Sequence, residues 1–509
     1  MLTIGLWYAR KSNSSPEEYF LGKRSLGPWV AALSAEASDM SGWLLMGLPG
    51  VAYFTGLGEA FWTAVGLFIG TWVNWAVVAR RLRAYTQTAS NAITLPDFFS
   101  KRFHDSKRAL MTIAALITTV FFSIYVGAQF VTFGKLFGYI FGAEDYYAVM
   151  VILGALLVLA YTLLGGFRAV CGTDLIQGIL MFCSIMLVLI FGFFRAGGFA
   201  GMAANLRNFP RFMDIFGAAT PVMRADPASG AAVQQIVDGV PQFGPGAAYS
   251  FLNILSCLAW GLGYFGMPQV LVRFMAIHNI AAIRKSRTIA VVWCGVSLIA
   301  AVSIGLAGRA YFPSLLTSAD SAETIFLHLS RDFFPPLFAG LVLSGILAAS
   351  MSSSDSYMLI VSSSLANDLV KGLIKKDAGE GVVMWVARVS LLLVTVFGTA
   401  VALGDNETIF RIVSYAWAGF GAAFGPLILF SLFWKRTTLA GAAAGMLSGG
   451  VLVVIWKEFI SKLGGPFAVY ELLPAFAASC LVIWLVSLAG PKPDAEIGRE
   501  FDAAKSMEA

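Results

Sequence analysis

The stretch that most restricts this chain is Ser34-Ala35-Glu36-Ala37-Ser38-Asp39-Met40-Ser41-Gly42-Trp43, followed by Leu44-Leu45-Met46-Gly47-Leu48-Pro49-Gly50. It lies in an apolar run covering about residues 27–54, long enough to cross a bilayer as a helix. Its middle nevertheless carries acid, serine and glycine. Ser and Asp compete with the backbone for hydrogen bonds and Gly weakens a helix, and Gly42 also removes side-chain bulk. The pattern predicts a helix broken near mid-membrane. A break frees carbonyls and amides that lipid cannot satisfy. They must face protein, water, or a bound ion and solute, which is how discontinuous helices are used in transporters.

The rest of the chain agrees with a membrane setting. Of its 509 residues 58% are hydrophobic and 13% charged, with a mean hydropathy of +0.77. That composition excludes a soluble globular domain of this length. The expected fold class is an all-α polytopic membrane protein, one membrane domain over residues 1–509, in contact with membrane lipid. The net charge of +6 does not point to nucleic acid, because the basic residues lie mostly in short loops between spans. Nothing in the sequence calls for an obligatory protein partner. Cys171, Cys183, Cys257, Cys294 and Cys480 all fall in apolar runs without a CxxC, so they read as small packing residues. His104, His278 and His328 are scattered, which argues against a histidine metal site.

Apolar runs predict spans at about 27–54, 59–78, 109–137, 146–164, 170–194, 247–275, 288–312, 334–366, 382–403, 408–434, 439–456 and 467–488. The first run, residues 1–9, is too short to cross. Either the native chain starts upstream or the first helix is half-length. The basic segment 80–108 contains Leu95-Pro96-Asp97-Phe98-Phe99, which reads as a short surface helix. Residues 195–245 form the longest loop, and a charged tail, 490–509, ends the chain. Alternating sides puts most of the 35 basic residues on the side of the 10–24 link, which is therefore cytoplasmic. The tail is then cytoplasmic, and the N-terminus lies outside.

Five spans in 27–195 and five in 246–434 suggest a repeat, with two further helices in 435–489. The second set opens on its own interruption, Trp260-Gly261-Leu262-Gly263-Tyr264-Phe265-Gly266-Met267-Pro268. Three glycines and a proline should unwind a helix there. Matched breaks in two halves are the best sequence pointer to a transporter binding site. An odd number of spans per half makes the halves inverted relative to each other.

Four polar features lie at membrane depth. An acid such as Asp39 is costly there and is a functional candidate; hydrogen bonding to loose amides is the structural alternative. In Ala349-Ser350-Met351-Ser352-Ser353-Ser354-Asp355-Ser356, the residues Ala349, Ser352, Ser353 and Ser356 follow i, i+3, i+4, i+7 spacing and share one helix face. Two hydroxyls opposite free carbonyls would suit a small monovalent cation, whereas a divalent ion wants more carboxylates. The same stripe also suits serine-mediated helix packing. Trp43, Tyr125, Trp260 and Tyr264 are aromatics near the breaks, open to a pocket or a core role. Arg24 and Asp174 lie near the cytoplasmic ends of their segments, where anchoring and capping compete with function.

These motifs closely resemble the bacterial sodium/proline symporters of the sodium–solute symporter family. The likeness is carried by residues 34–50 and 260–268, by Leu343-Ser344-Gly345-Ile346-Leu347-Ala348-Ala349, and by Tyr415-Ala416-Trp417-Ala418-Gly419-Phe420-Gly421-Ala422-Ala423-Phe424-Gly425-Pro426. The resemblance implies a LeuT-type fold, two inverted five-helix repeats with one helix before and two after. It implies Na+-coupled uptake of L-proline across the bacterial cytoplasmic membrane by alternating access, with Na+ as the co-transported ion. It sets the Na+ site on the carbonyls of Ala37, Met40 and Ala349 and the hydroxyls of Ser352 and Ser353. The solute pocket falls on Asp39, Ser41, Gly42, Trp43, Tyr125, Trp260, Tyr264 and Pro268, and Asp39 matches the family's essential acid. Arg24 matches an arginine tied to coupling, and Asp174 an acid of a second cation site in some relatives. Ser353 stands where threonine is common. Met267 stands where the best-known proline carriers have glutamine, which leaves pantothenate or another amino acid as the alternative solute. Asp355 is an extra acid off the stripe. An intramembrane aspartyl protease would need two paired carboxylates, and the glycine-rich break carries Tyr264 where its acid would stand. A sensor would need a kinase domain, for which the tail is too short.

Overall fold

Almost every apolar run closes into a helix, because a chain in lipid must satisfy its backbone groups internally. The computed structural model describes residues 20–164, 166–227, 230–374, 377–404 and 408–508. The expected half-length first helix lies outside them. Among the described residues, eleven helices are long and apolar enough to cross a membrane. The broken run adds a further crossing: α1 (Pro28–Asp39), a π-helical turn at Trp43–Gly47, and α2 (Leu48–Thr55).

The chain continues through α3 (Leu57–Thr88), α4 (Leu95–Arg102), α5 (Ala109–Phe141), α6 (Tyr147–Leu164) and α7 (Phe167–Arg195). The second interrupted crossing is α8 (Phe251–Leu258), a short turn at Trp260–Gly263, and α9 (Pro268–Ala276). Then come α10 (Ala282–Tyr311), α11 (Ile325–Phe333), α12 (Pro336–Ser363), α13 (Glu380–Ala402), α14 (Ile409–Phe433), α15 (Leu439–Ile455), α16 (Leu472–Ala489) and α17 (Ala495–Glu508). The core lies where the interrupted crossings meet α5, α7, α10, α12 and α14. The most apolar window of α14 is 83% buried, against 33% for those near α6 and in α16, so α14 is central while α6 and α16 face lipid.

Several expectations need correction. The segment around Leu95 is helical, capped by Thr94, whose hydroxyl accepts from the Asp97 amide at 3.1 Å. It is buried rather than on the surface: Leu95, Phe98, Phe99 and Arg102 are all covered. Its cover includes α17, which the charge of the tail concealed. Phe501 of α17 lies beneath the guanidinium groups of Arg81 and Arg102, and Lys435 meets Asp502 at 2.6 Å. Burial is the largest influence on Arg102 and lowers its pKa. The long loop also has structure. It holds a helix at Gly198–Leu206 and three antiparallel pairs: β1 (Gly217–Ala218) with β6 (Ala247–Ala248), β2 (Met223–Ala225) with β3 (Ala232–Gln234), and β4 (Ile236–Val237) with β5 (Val240–Pro241).

Candidate functional site

The first break opens between Met40 and Ser41. Met40 leaves the helix with φ −83° and ψ 72°, and the loose groups find partners on other helices. The Ala37 carbonyl accepts from Ser352 Oγ at 2.7 Å and from Ser353 Oγ at 3.4 Å. Ser352 Oγ also donates to the Ala349 carbonyl at 3.1 Å. The Ser38 carbonyl takes the Tyr357 hydroxyl at 2.9 Å, and the Asp39 carbonyl takes the Trp43 indole N–H at 3.1 Å. Beyond the break, Gly42 N–H donates to Gln129 Oε1 at 3.4 Å, and Gln129 Nε2 donates to Ser41 Oγ at 3.1 Å. A Cβ on Gly42 would strike Thr132 Oγ1, so glycine here serves close approach to α5.

The second break is shifted within its motif. Trp260–Gly263 remains one helical turn, and the chain unwinds at residues 264–267, before Pro268 starts α9. Gly263 is there for packing, since a Cβ would run into the Trp417 indole. The loose carbonyls are held by side chains: Tyr264 O accepts from Asn74 Nδ2 at 2.9 Å, and Trp260 O from Trp417 Nε1 at 2.8 Å.

The two breaks meet at Asp39, whose Oδ2 accepts the Tyr264 hydroxyl at 2.7 Å and whose Oδ1 accepts Gln269 Nε2 at 3.4 Å. Trp43 and Trp260 face each other at 6.3 Å, and Trp260 also lies 4.9 Å from Phe410 and 5.4 Å from Tyr470. Tyr125 packs 4.4 Å from the Tyr357 ring, with a buried hydroxyl that takes no hydrogen bond from the described residues. On one side a cavity of about 420 Å³ descends to Trp260, Phe410 and Tyr470. On the other side, the end where α1 begins, the residual space is about 20 Å³, room for roughly one water. The site is therefore shut at the end rich in basic loops and approached from the opposite one.

A model of the sodium:solute symporter family matches residues 19–449. The chain belongs to that family. It is 41% identical to the high-affinity proline transporter PutP of Bacillus subtilis over 503 residues, covering 99% of this chain and 98% of the relative. It is 38% identical to a sodium/proline symporter of Staphylococcus aureus over 513 residues, covering 100% and 94%. Among solved structures, a Na+-coupled sialic acid symporter in a substrate-bound outward-open state superposes with a TM-score of 0.72 at 18% identity, covering 97% of this chain and 96% of that one. A closed nucleobase-cation-symport-1 transporter with bromovinylhydantoin bound gives 0.53 at 12% identity, covering 97% and 99%. These neighbours establish the LeuT-type fold of this symporter family member.

Most of the expected site residues come together. The Ser352 and Ser353 hydroxyls meet the Ala37 carbonyl, Ser352 also reaches the Ala349 carbonyl, and Asp39, Ser41, Gly42, Trp43, Trp260 and Tyr264 surround the two breaks. Pro268 is one turn removed and lines the closed basic-end space instead. Arg24 is also apart from the breaks. Its guanidinium donates to Met275 O at 2.6 Å, Ala92 O at 2.8 Å and Asn91 Oδ1 at 3.0 Å, tying the lead-in of α1 to the ends of α3 and α9. Asp174 lies below the serine stripe, bound to Ser34 at 2.6 Å and Arg273 at 3.1 Å.

Sequence reasoning passed over Gln129, Tyr357, Gln269 and Arg273. Gln129 stands four residues after Tyr125, and Tyr357 four after Ser353, so helical spacing could have added both. Arg273 is a charge inside a membrane-length run, a functional candidate by that fact alone. Gln269 had no such signal. It supplies, two residues beyond Met267, an amide directed at Asp39, while Met267 itself is fully buried.

Proposed function

We propose that this symporter takes up L-proline together with Na+, the solute meeting the protein between the two breaks and the ion beside the first. The observation that carries the reading is the meeting of the Ser352 and Ser353 hydroxyls with the Ala37 carbonyl. Hard, neutral oxygens from two helices at a membrane-depth break suit a monovalent cation. The named activities of the 41% and 38% identical relatives support proline and Na+ as the pair. The Na+ ligands are the carbonyls of Ala37, Met40 and Ala349 and the hydroxyls of Ser352 and Ser353. Trp43, Trp260 and Tyr264 cover the pyrrolidine ring. Ser41, Gly42, Asp39 and the free Tyr125 hydroxyl meet the charged groups, as loose helix ends do in this kind of site.

The inverted repeats are 27–195 and 246–434. The protein lies in the bacterial cytoplasmic membrane with its basic loops and tail in the cytoplasm. The cavity above Trp260 is then the entrance, and the shut end is the exit. One positive charge moving through about 100 mV supplies roughly 2.3 kcal/mol, enough for roughly 40-fold accumulation without an ATP-driven step. Asp39 faces Tyr264 and Gln269 rather than a second carboxylate, the opposite of what acid proteolysis requires.

The test is uptake of radiolabelled proline into proteoliposomes, titrated with Na+ and challenged with other amino acids and pantothenate. The expected result is Na+-dependent uptake that unlabelled proline suppresses best. A different solute competing far better, or uptake indifferent to Na+, overturns it.

A further inference from the structure

Below the cation position, one turn nearer the shut end, a buried arginine repeats the same helix-to-helix connection. Arg273, on α9, is 1% exposed. Its Nε donates to Ser34 Oγ on α1 at 3.0 Å. One terminal nitrogen donates to Ser356 Oγ on α12 at 2.7 Å and to Asp174 Oδ2 on α7 at 3.1 Å. The other donates to the Gln269 carbonyl at 3.0 Å. Three other helices thus end on one guanidinium, and its own helix accepts the remaining bond. A planar fork with five donors can do this, and an ammonium cannot serve so many directions at once.

The spacing gives the contact its meaning. Ser34 precedes Ala37 by three residues on α1, and Ser356 follows Ser353 by three on α12. Each is therefore on the same helix face as the cation ligand above it. The ion and Arg273 join the same two helices at successive turns. Arg273 also lines the roughly 20 Å³ space left at the basic end, with Ser356, Val272 and Ile360. Through Gln269, whose side-chain amide binds Asp39, it connects to the solute position.

We propose that Arg273 is the positioning residue that makes closure of the exit depend on the ion. With α1 and α12 drawn together by Na+, Ser34 and Ser356 stand within reach of the guanidinium and the exit is sealed. When the ion leaves, the helices part by a small amount, the fork loses two of its partners, and α9 is released. This rests on reading Ala37, Ser352 and Ser353 as the cation site.

The experiment places a single cysteine at Ile360, with the five native cysteines replaced, and follows its modification by a membrane-impermeant thiol reagent in nanodiscs. Na+ is compared with K+ at equal ionic strength. With Arg273 present, Na+ is expected to slow labelling. Arg273→Gln should label rapidly in both ions, at least about tenfold faster than its parent in Na+, the loss expected from charge-assisted bonds. Arg273→Lys should restore part of the protection. Ser356→Ala, a small uncharged change, should also speed labelling in Na+ and decides the matter if the Arg273 variants do not fold. Unchanged rates and unchanged Na+ protection in Arg273→Gln, or in Ser356→Ala alone, overturn the proposal. The cation site fails separately, if Ser352→Ala leaves the Na+ dependence of proline uptake untouched.

Discussion

The two breaks solve the same problem with different materials. Both leave backbone groups without helical partners at membrane depth, where an unsatisfied group costs several kcal/mol. The first uses hydroxyls and an amide from α5 and α12, namely Ser352, Ser353, Tyr357 and Gln129. Each of these oxygens can turn from the backbone to an ion without rebuilding the helix. The second uses the side-chain N–H groups of Asn74 and the Trp417 indole, which fasten its carbonyls to neighbouring helices, and it packs closely through glycine. Under the proposed function this is a division of labour, an exchangeable break for the ion and an aromatic one for the solute, with Asp39 joining them through Tyr264 and Gln269.

The largest test of this division is Tyr264→Phe. It removes the hydroxyl from Asp39 and leaves the ring, so the pocket keeps its shape. A lost hydrogen bond to a charged group costs about 1.5–3 kcal/mol, or roughly 10- to 150-fold in the proline half-saturation. Wild-type half-saturation in proteoliposome uptake would separate the second break from the solute.

Ser352→Ala acts on the first break. A lost buried polar partner costs about 1–3 kcal/mol, corresponding to roughly 5- to 150-fold weaker Na+ binding. Because coupling is reciprocal, proline affinity at subsaturating Na+ should fall too, and high Na+ should restore most of it. A serine that only packs helices shows neither effect.

Glycine substitutions compare the two breaks directly. Gly42→Ala meets the Thr132 side chain, whereas Gly266→Ala meets the Phe420 backbone. Overpacking costs about 1–3 kcal/mol, read as loss of thermal stability in detergent. Adding Thr132→Ala should recover much of the first loss. The second has no side chain to trim, so a Gly266 variant that folds normally would show the second break to be less rigid than its packing implies.

The smallest effect lies away from both. His328, half-buried on α11 and edge-on to Tyr139 at 4.8 Å, is held below its ordinary 6.5, first by burial and then by Arg331. The folded protein therefore prefers the neutral ring. As pH falls through about 6.5, the unfolded chain gains a proton that the folded one resists, and stability declines. Partial exposure keeps the loss under about 1 kcal/mol. The melting temperature of His328→Phe should fall less than that of wild type between pH 7 and 5, and parallel curves would refute the assignment.

The sequence alone determined the membrane setting, nearly all the crossings, both interruptions and the serine stripe. These are local properties: composition, run length and helical spacing do not depend on distant parts of the chain. It also singled out Asp39, because an acid in an apolar run is visible without a fold. Tertiary structure decided the rest. The segment at Leu95 became a buried helix because α5, α9 and α14 pack on it and Phe501 of α17 meets Arg102, and its own pattern carries no sign of that cover. The second break falls at residues 264–267, and Gly263 on the turn before it packs on Trp417, a contact between residues 154 positions apart in number. Gln269 and Arg273 reached Asp39 and Asp174 through α9's approach to α1 and α7. Polar groups in lipid must find partners somewhere, so the sequence can say which groups are in need. Only the packing of helices says which ones meet.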